Sequence, residues 1–326
     1  MKYFLIGPYP PILGGVSVFN YRYTKVLKQR GYDIENIDLY RKTKLKRYLC
    51  YLKLFVWPRK SVYHLDKFIP PIAVILLLRP FRSSIILHHH SCRYFETLGG
   101  IERTIFRCFL RKVDECIFIS EQLKAYYSQN GFALPTKLTI QSPFLPPPLE
   151  EEDNIWNTYD SKTLCFVNSH KPLLIANAFQ IVFYQGVDLY GLDLCVDLVS
   201  ELKKIYPQIG LLFALAEIGE TTYFEETIHR IRKKTIADNF FFMTGQKELW
   251  PLFKKCDLMV RPTYSDGYGI SIAEALYFHC PAVASDVGGR PEGTILFRNR
   301  DFDDFLCKVK NILVNPKKSP YNFARQ

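Results

Sequence analysis

The decapeptide Ser265-Asp266-Gly267-Tyr268-Gly269-Ile270-Ser271-Ile272-Ala273-Glu274 sets one carboxylate in a glycine-containing turn and a second eight positions later in a helix. Apolar Leu258-Met259-Val260 leads in as a buried strand, and Arg261-Pro262-Thr263 opens the loop. The helix is expected from Ile270 to about His279, because Pro281 disfavours helix ahead of it. Its first N–H groups, Gly269 to Ile272, have no intrahelical acceptor and lie at the positive dipole end, a natural place for a diphosphate. Asp266 and Glu274 are then at least ~12 Å apart, at 1.5 Å per helical residue. That is about the reach of a nucleotide-sugar, and each carboxylate accepts the two bonds a vicinal diol offers. The same string also reads as a capped surface helix with an incidental acid at each end.

Strands must present such a loop. Strand-like runs at 2–6, 85–89 and 116–119 alternate with helical ones in the first half. Beyond them, strands near 163–167, 173–177, 211–215, 240–243, 257–260 and 282–285 alternate with helices near 192–205, 223–235 and 247–254. Alternation of this kind gives α/β domains with parallel sheets, which bind ligands at the carboxyl ends of their strands. The proline-rich, then acidic stretch from Pro143 to Asp153 reads as a linker, giving domains 1–150 and 151–326. Asp301-Phe302-Asp303 has the form of a D-x-D metal motif but opens a helix over 302–313, where a cap is the expected role.

Strand, acidic-glycine loop, helix, proline, strand and then Gly288-Gly289-Arg290-Pro291-Glu292 follow one another over residues 256–293. In this order the chain resembles the retaining glycosyltransferases of family 4, and does so over nearly its full length. The resemblance implies the GT-B fold: two Rossmann-like parallel-sheet domains facing a central cleft, an N-terminal one for acceptor and a C-terminal one for nucleotide-sugar. It leaves the last helix free to pack back on the N-terminal domain. The family's paired glutamates match Asp266 and Glu274, the first shortened here by a methylene. By the same likeness Glu274 holds ribose, Asp266 holds the sugar, and Gly267, Tyr268, Gly269, Ile270 and Ser271 cradle the donor. Gly14 and Gly15, after the first strand, inherit approach to the donor phosphates. A strand-end histidine beside the reacting sugar corresponds to His90, or to His89 one register away.

One departure stands out. The family holds its diphosphate with an arginine and a lysine, where this chain has Ala178 and Tyr190. Arg261 is the first candidate to replace them and Arg290 the second. The expected activity is retaining, metal-independent transfer of a hexose from a nucleotide-diphosphate sugar, UDP-linked by preference, with no cofactor. The expected acceptor is a glycan, polyprenyl-diphosphate-linked, in bacterial surface-polysaccharide synthesis. The missing cation pair leaves two alternatives: a catalytically weak sugar-nucleotide-binding protein at the membrane surface, and a GT-B epimerase acting on the sugar-nucleotide.

At 326 residues, 48% hydrophobic and 23% charged, the composition is globular and fits two cores. No run reaches the ~18 apolar residues that span a bilayer. The first apolar run ends at Gly7-Pro8, too early for a signal peptide. Nine cysteines without a C-x-x-C pair, with Cys116, Cys165 and Cys280 in apolar runs, suit small buried hydrophobes in a reducing cytoplasm. Residues 1–150 carry 23 Lys+Arg against 10 Asp+Glu, so the first half is the side that meets an anionic partner. Within it, residues 41–60 spell a basic amphipathic helix in which Leu45, Leu49, Leu52 and Phe55/Val56 recur at helical spacing. That pattern suits the anionic inner face of a plasma membrane, or a surface helix packing its leucines on the domain. No nucleic-acid recognition motif is present, so the basic charge points to lipid.

Overall fold

The computed structural model of the chain describes residues 1–39, 42–57, 60–91 and 93–315. It divides into two compact units, Met1–Leu145 and Pro146–Gln326, at a point inside the proline-rich stretch. The first unit contains β1 (Lys2–Ile6), β2 (Asp33–Ile37), β3 (Ser61–Leu65), β4 (Ser84–His89), β5 (Glu115–Phe118) and β6 (Lys137–Ile140). They form one parallel sheet in the order β2-β1-β3-β4-β5-β6. Phe4, Ile6, Tyr63, Leu65, Leu87 and Phe118 are sealed from solvent at its centre. Edge strand β2 (Asp-Ile-Glu-Asn-Ile) and exposed β6 carry too little apolar periodicity to be read as strands from sequence. Central β3 escapes for another reason: Ser61 and His64 interrupt its apolar pattern and yet are buried.

In the second unit, β7 (Leu173–Ile181) is followed by a hairpin of β8 (Phe183–Tyr184) and β9 (Val187–Asp188). Then come β10 (Gly210–Gly219), β11 (Phe240–Thr244), β12 (Leu258–Arg261), β13 (Ala282–Ser285) and β14 (Ile295–Phe297). The parallel sheet runs β11-β10-β7-β12-β13-β14. The strand order therefore reverses between β7 and β12, which makes their carboxyl ends the switch point where doubly wound sheets bind ligands. Both faces are covered. Leu174, Phe213, Val260 and Val283 face one helical layer, while Ile175, Leu212, Met259 and Ala284 face the other.

Two local expectations fail. The apolar run 163–167 is a helix, Ser161–Ser169, and not a strand. Asp160 caps it by accepting the Thr163 N–H at 2.7 Å, and helical spacing sends Phe166 and Val167 inward. Cys165 is thereby turned outward and is exposed, unlike buried Cys116 and Cys280. The segment 247–254 contains only a 3-10 turn, Trp250–Lys254, because Pro251 cannot donate to a longer ladder. The helix Phe302–Val314 buries Phe305 and Val309 in the core of its own unit, and Asp301 caps it through the Asp304 N–H at 2.9 Å.

The basic segment of the first unit is helical over Lys44–Val56, while Arg41, Pro58 and Arg59 lie outside the described residues. Among that helix's residues only Leu54 is buried. Leu45 and Tyr48 are 70% and 68% exposed, with Leu49, Leu52 and Val56 on the outside as well. No helix among the described residues is long and apolar enough to cross a membrane.

Candidate active site

Arg261 ends β12 and meets β7 across the switch point. Its Nη1 donates to the carbonyl oxygen and side-chain Oδ1 of Asn177 at 3.0 and 2.9 Å. Its Nε donates to Asp266 Oδ2 at 2.8 Å, and its guanidinium lies 5.5 Å from the Tyr190 ring centroid. Nη2 makes no hydrogen bond among the described residues. Arg290 reaches the same carboxylate from the loop after β13, with Nη1 2.9 Å from Asp266 Oδ2. Its Nε donates to Ser285 O, and its Nη2 to Thr263 Oγ1 and Ser285 Oγ. With its side chain only 3% exposed, Arg290 is a buried strut.

Asp266 therefore holds two guanidiniums, and its Oδ1 accepts the Gly267 N–H at 2.9 Å. Burial alone would raise its pKa, but Arg261 and Arg290 together hold it far below the usual carboxylate range. Burial pulls the Arg290 pKa down and Asp266 partly restores it; both arginines remain charged. One carboxylate against two guanidiniums leaves a net positive cluster at the ends of β7 and β12.

The helix Ile270–Tyr277 starts beside this cluster. Gly269, at φ +89°, supplies the left-handed turn that begins it, and no side chain caps it. The N–H groups of Gly269, Ile270 and Ser271 have no acceptor among the described residues. Ser271 Oγ donates to Asn177 Oδ1 at 2.8 Å, tying the helix start to β7. Glu274 lies one turn on, on the same helical face as Ile270 and Ser271, and is 5% exposed. By contrast, the N-terminus of the helix Leu192–Leu202 is closed by Asp188, which accepts the N–H groups of Tyr190 and Asp193 at 3.0 and 3.3 Å.

The two loops interlock through glycine. Gly288 has φ +66°, and a β-carbon there would fall 2.3 Å from the Asp266 carbonyl oxygen, while Gly289 N–H donates to Gly267 O at 3.1 Å. Gly288→Ala is expected to destabilise the second unit by ~1–3 kcal/mol. A urea-unfolding midpoint equal to wild type would show that the loop contact is dispensable.

Asp266, Arg261, Arg290, Gly267, Gly269, Ile270 and Ser271 thus share one place, with Tyr268 in the same turn. Asn177 is an addition; its one sequence signal is an amide that interrupts the apolar run 173–179 of β7. Gly14, Gly15, His89 and His90 belong to the first unit. Gly14 precedes the helix Gly15–Gln29, and its N–H donates to Ser17 Oγ at 2.8 Å. His89 is packed 4.8 Å from Phe118 and 4.3 Å from Tyr127, and burial together with neighbouring His90 pushes its pKa down to about 3. Both histidines line a pocket of about 180 Å³ shared with Pro8, Val16, Asp66, Phe68 and Tyr127.

Comparison with known proteins shows what the chain is similar to. Residues 166–317 match the family model described as glycosyl transferases group 1. A 103-residue stretch is 31% identical to the lipopolysaccharide core biosynthesis mannosyltransferase LpsB of Rhizobium meliloti, covering 31% of this chain. That stretch spans only 29% of the relative's length. Among solved structures, Anabaena Alr3699/HepE in complex with UDP and glucose superposes with a TM-score of 0.69 at 14% identity, covering 98% of this chain and 91% of that one. A glycosyltransferase from Rickettsia africae ESF-5 gives 0.70 at 12% identity, covering 96% and 88%. Likeness at such identities establishes the fold, which is GT-B.

Proposed function

We propose that this chain, which carries a glycosyl transferases group 1 domain on a GT-B fold, moves a hexose from a nucleotide-diphosphate sugar to a glycan acceptor. The observation that carries this reading is the net positive Arg261–Asp266–Arg290 cluster beside the uncapped helix start at Gly269. Arg261 Nη2 and the N–H groups of Gly269 to Ser271 take the place of the family's arginine and lysine on the diphosphate. They stabilise charge building on the leaving phosphate, an electrostatic role of the oxyanion-hole type, without a metal bridge. Glu274 takes the ribose hydroxyls. Asp266, in this reading, acts chiefly by fixing Arg261 and turns at most a free lone pair to the sugar.

Retention at the anomeric carbon follows the family 4 pattern. The acceptor oxygen attacks the face from which the phosphate departs, the bond from the anomeric carbon to phosphate oxygen breaks, and a donor phosphate oxygen takes the acceptor proton. The products are the glycoside and a nucleoside diphosphate, with UDP the favoured nucleotide. His90 and His89 are proposed to lie beside the transferred sugar, and Gly14 and Gly15 beside the donor phosphates.

The test is release of free UDP from UDP-hexoses, with and without a lipid-linked glycan acceptor. Glu274→Ala is expected to lower that rate by roughly 10–150-fold, the worth of a charge-assisted hydrogen bond. Tight UDP binding with neither hydrolysis nor transfer across a donor panel would make the chain a sugar-nucleotide-binding protein. Donor conversion without acceptor would make it an epimerase.

The acceptor is proposed to be polyprenyl-diphosphate-linked, reached at the inner face of the plasma membrane in surface-polysaccharide synthesis. The helix Lys44–Val56 supports this, because it turns Leu45, Tyr48, Leu49 and Leu52 to solvent among Lys44, Lys46 and Arg47. Each cation near an anionic surface contributes roughly 1 kcal/mol, and burying each leucine ~1.5–3 kcal/mol. Binding to vesicles containing acidic phospholipid is expected, weakening as salt rises. The triple variant Leu45→Glu, Leu49→Glu, Leu52→Glu should stay in the supernatant; sedimentation equal to wild type would remove this helix from the lipid contact.

A further inference from the structure

In the first unit, His64 on β3, Asp66 just beyond it and His88 on β4 turn their polar atoms to a common point, all within 4.8 Å of one another. The three are 0%, 2% and 0% exposed. Buried polar groups in proteins are ordinarily paired, yet among the described residues His64 Nε2, Asp66 Oδ1 and both ring nitrogens of His88 have no hydrogen-bond partner. His90 Nε2, also without a hydrogen-bond partner among the described residues, lies 3.8 Å from Asp66 Oδ1, and the rings of His88 and His90 stack at 4.1 Å.

The surroundings fix these groups for ligation. Tyr3 Oη lies 2.6 Å from His64 Nδ1, so with the proton on Nδ1 the tyrosine accepts it and Nε2 keeps its lone pair. Asn20 Nδ2 donates to Asp66 Oδ2, which leaves Oδ1 as the outward lone pair. Close approach is demanded on the other side as well: a β-carbon on Gly7 would fall 1.8 Å from Asp66 Oδ2, so glycine there is what admits the carboxylate. One imidazole oriented by a second hydrogen bond, two further imidazoles and one carboxylate make a ligand set suited to a borderline divalent cation.

We propose that His64, Asp66 and His88, completed by His90, bind a zinc ion that fixes the carboxyl ends of β3 and β4. Zinc accepts four nitrogen and oxygen ligands tetrahedrally, about 3.3 Å from one another when each is ~2.0 Å from the metal. The ligand atoms of His64, Asp66 and His88 lie within 4.8 Å of one another and His90 Nε2 lies 3.8 Å from Asp66 Oδ1, so binding draws them inward. The ion is structural: it holds His90, beside the proposed sugar position, through its ligand nitrogen and takes no part in the transfer, which the proposed mechanism runs without metal.

The experiment uses the full chain, stripped with EDTA and titrated with CoCl2 and then ZnCl2. One cobalt per chain is expected, with the strong visible absorption of a four-coordinate site, displaced by one zinc that raises Tm. His88→Phe keeps an aromatic ring in the stack and removes the donor nitrogens; Asp66→Asn removes the charge. Each should weaken zinc by about 100-fold or more and abolish the zinc-dependent rise in Tm. No stoichiometric uptake by the wild-type chain would overturn the proposal, as would variants that titrate like wild type. Should both variants fail to fold, the wild-type cobalt spectrum decides: a six-coordinate, weakly absorbing spectrum places the metal elsewhere.

Discussion

Arg261→Ala is expected to lower kcat/KM for the sugar donor by on the order of 10²–10³, about 2.7–4 kcal/mol of transition-state stabilisation. The magnitude follows from where the guanidinium is held. Nε is bound to Asp266 and Nη1 to Asn177, so the guanidinium is held in one rotamer at the end of β12 and Nη2 is left without a partner among the described residues. Charge that appears on the leaving phosphate then meets a cation needing no reorganisation. Arg261→Lys should recover less than about tenfold, because a single ammonium cannot keep both anchoring bonds and still reach outward. The loss should fall on kcat more than on KM if the contact strengthens in the transition state. An alanine variant with wild-type UDP affinity and rate would move the diphosphate away from the switch point.

Asp266→Asn acts on stability. It keeps the shape of the side chain but leaves Arg261 and Arg290, both largely buried, facing no negative charge. Breaking a buried pair from one side costs about 3–5 kcal/mol. In a domain of this size ~2–4 °C of Tm accompanies each kcal/mol, so a fall of roughly 10 °C is expected. The pH dependence has a definite sign. The two arginines depress the Asp266 pKa, so the stabilisation is complete above the unfolded carboxylate value of about 3.9 and is lost as pH falls through the lower folded value. The stability gap between wild type and Asp266→Asn should therefore be constant near neutrality and close only in strong acid. Denaturation curves that coincide at neutral pH would show that the carboxylate does not hold the pair together.

Much of the site was legible because it is contiguous. Arg261, Asp266, the Gly269 turn and Glu274 lie on one strand–loop–helix unit, and local rules of capping, proline and glycine determine such a unit. Asn177 and Arg290 were less so, since each joins the cluster from another strand and its role depends on a neighbour many positions away. Strand content divided the same way. Apolar β1, β4, β7, β10 and β12 announced themselves, whereas polar edge strands β2 and β6 did not. The run 163–167 suits either period, because five apolar or small residues follow one another, and Asp160's cap settles Ser161–Ser169 as helix.

From sequence alone came the alternating strand and helix pattern, the two domains, the paired acids around a helix start and the basic amphipathic segment; all are local, periodic or compositional. Only tertiary structure decided that Asp266 is occupied by two arginines, that Leu45, Leu49 and Leu52 face solvent, and that His64, Asp66 and His88 converge. The physical reason is common to all three: strand order brings distant residues within hydrogen-bond range and sets which face is covered, and neither is encoded in spacing along the chain.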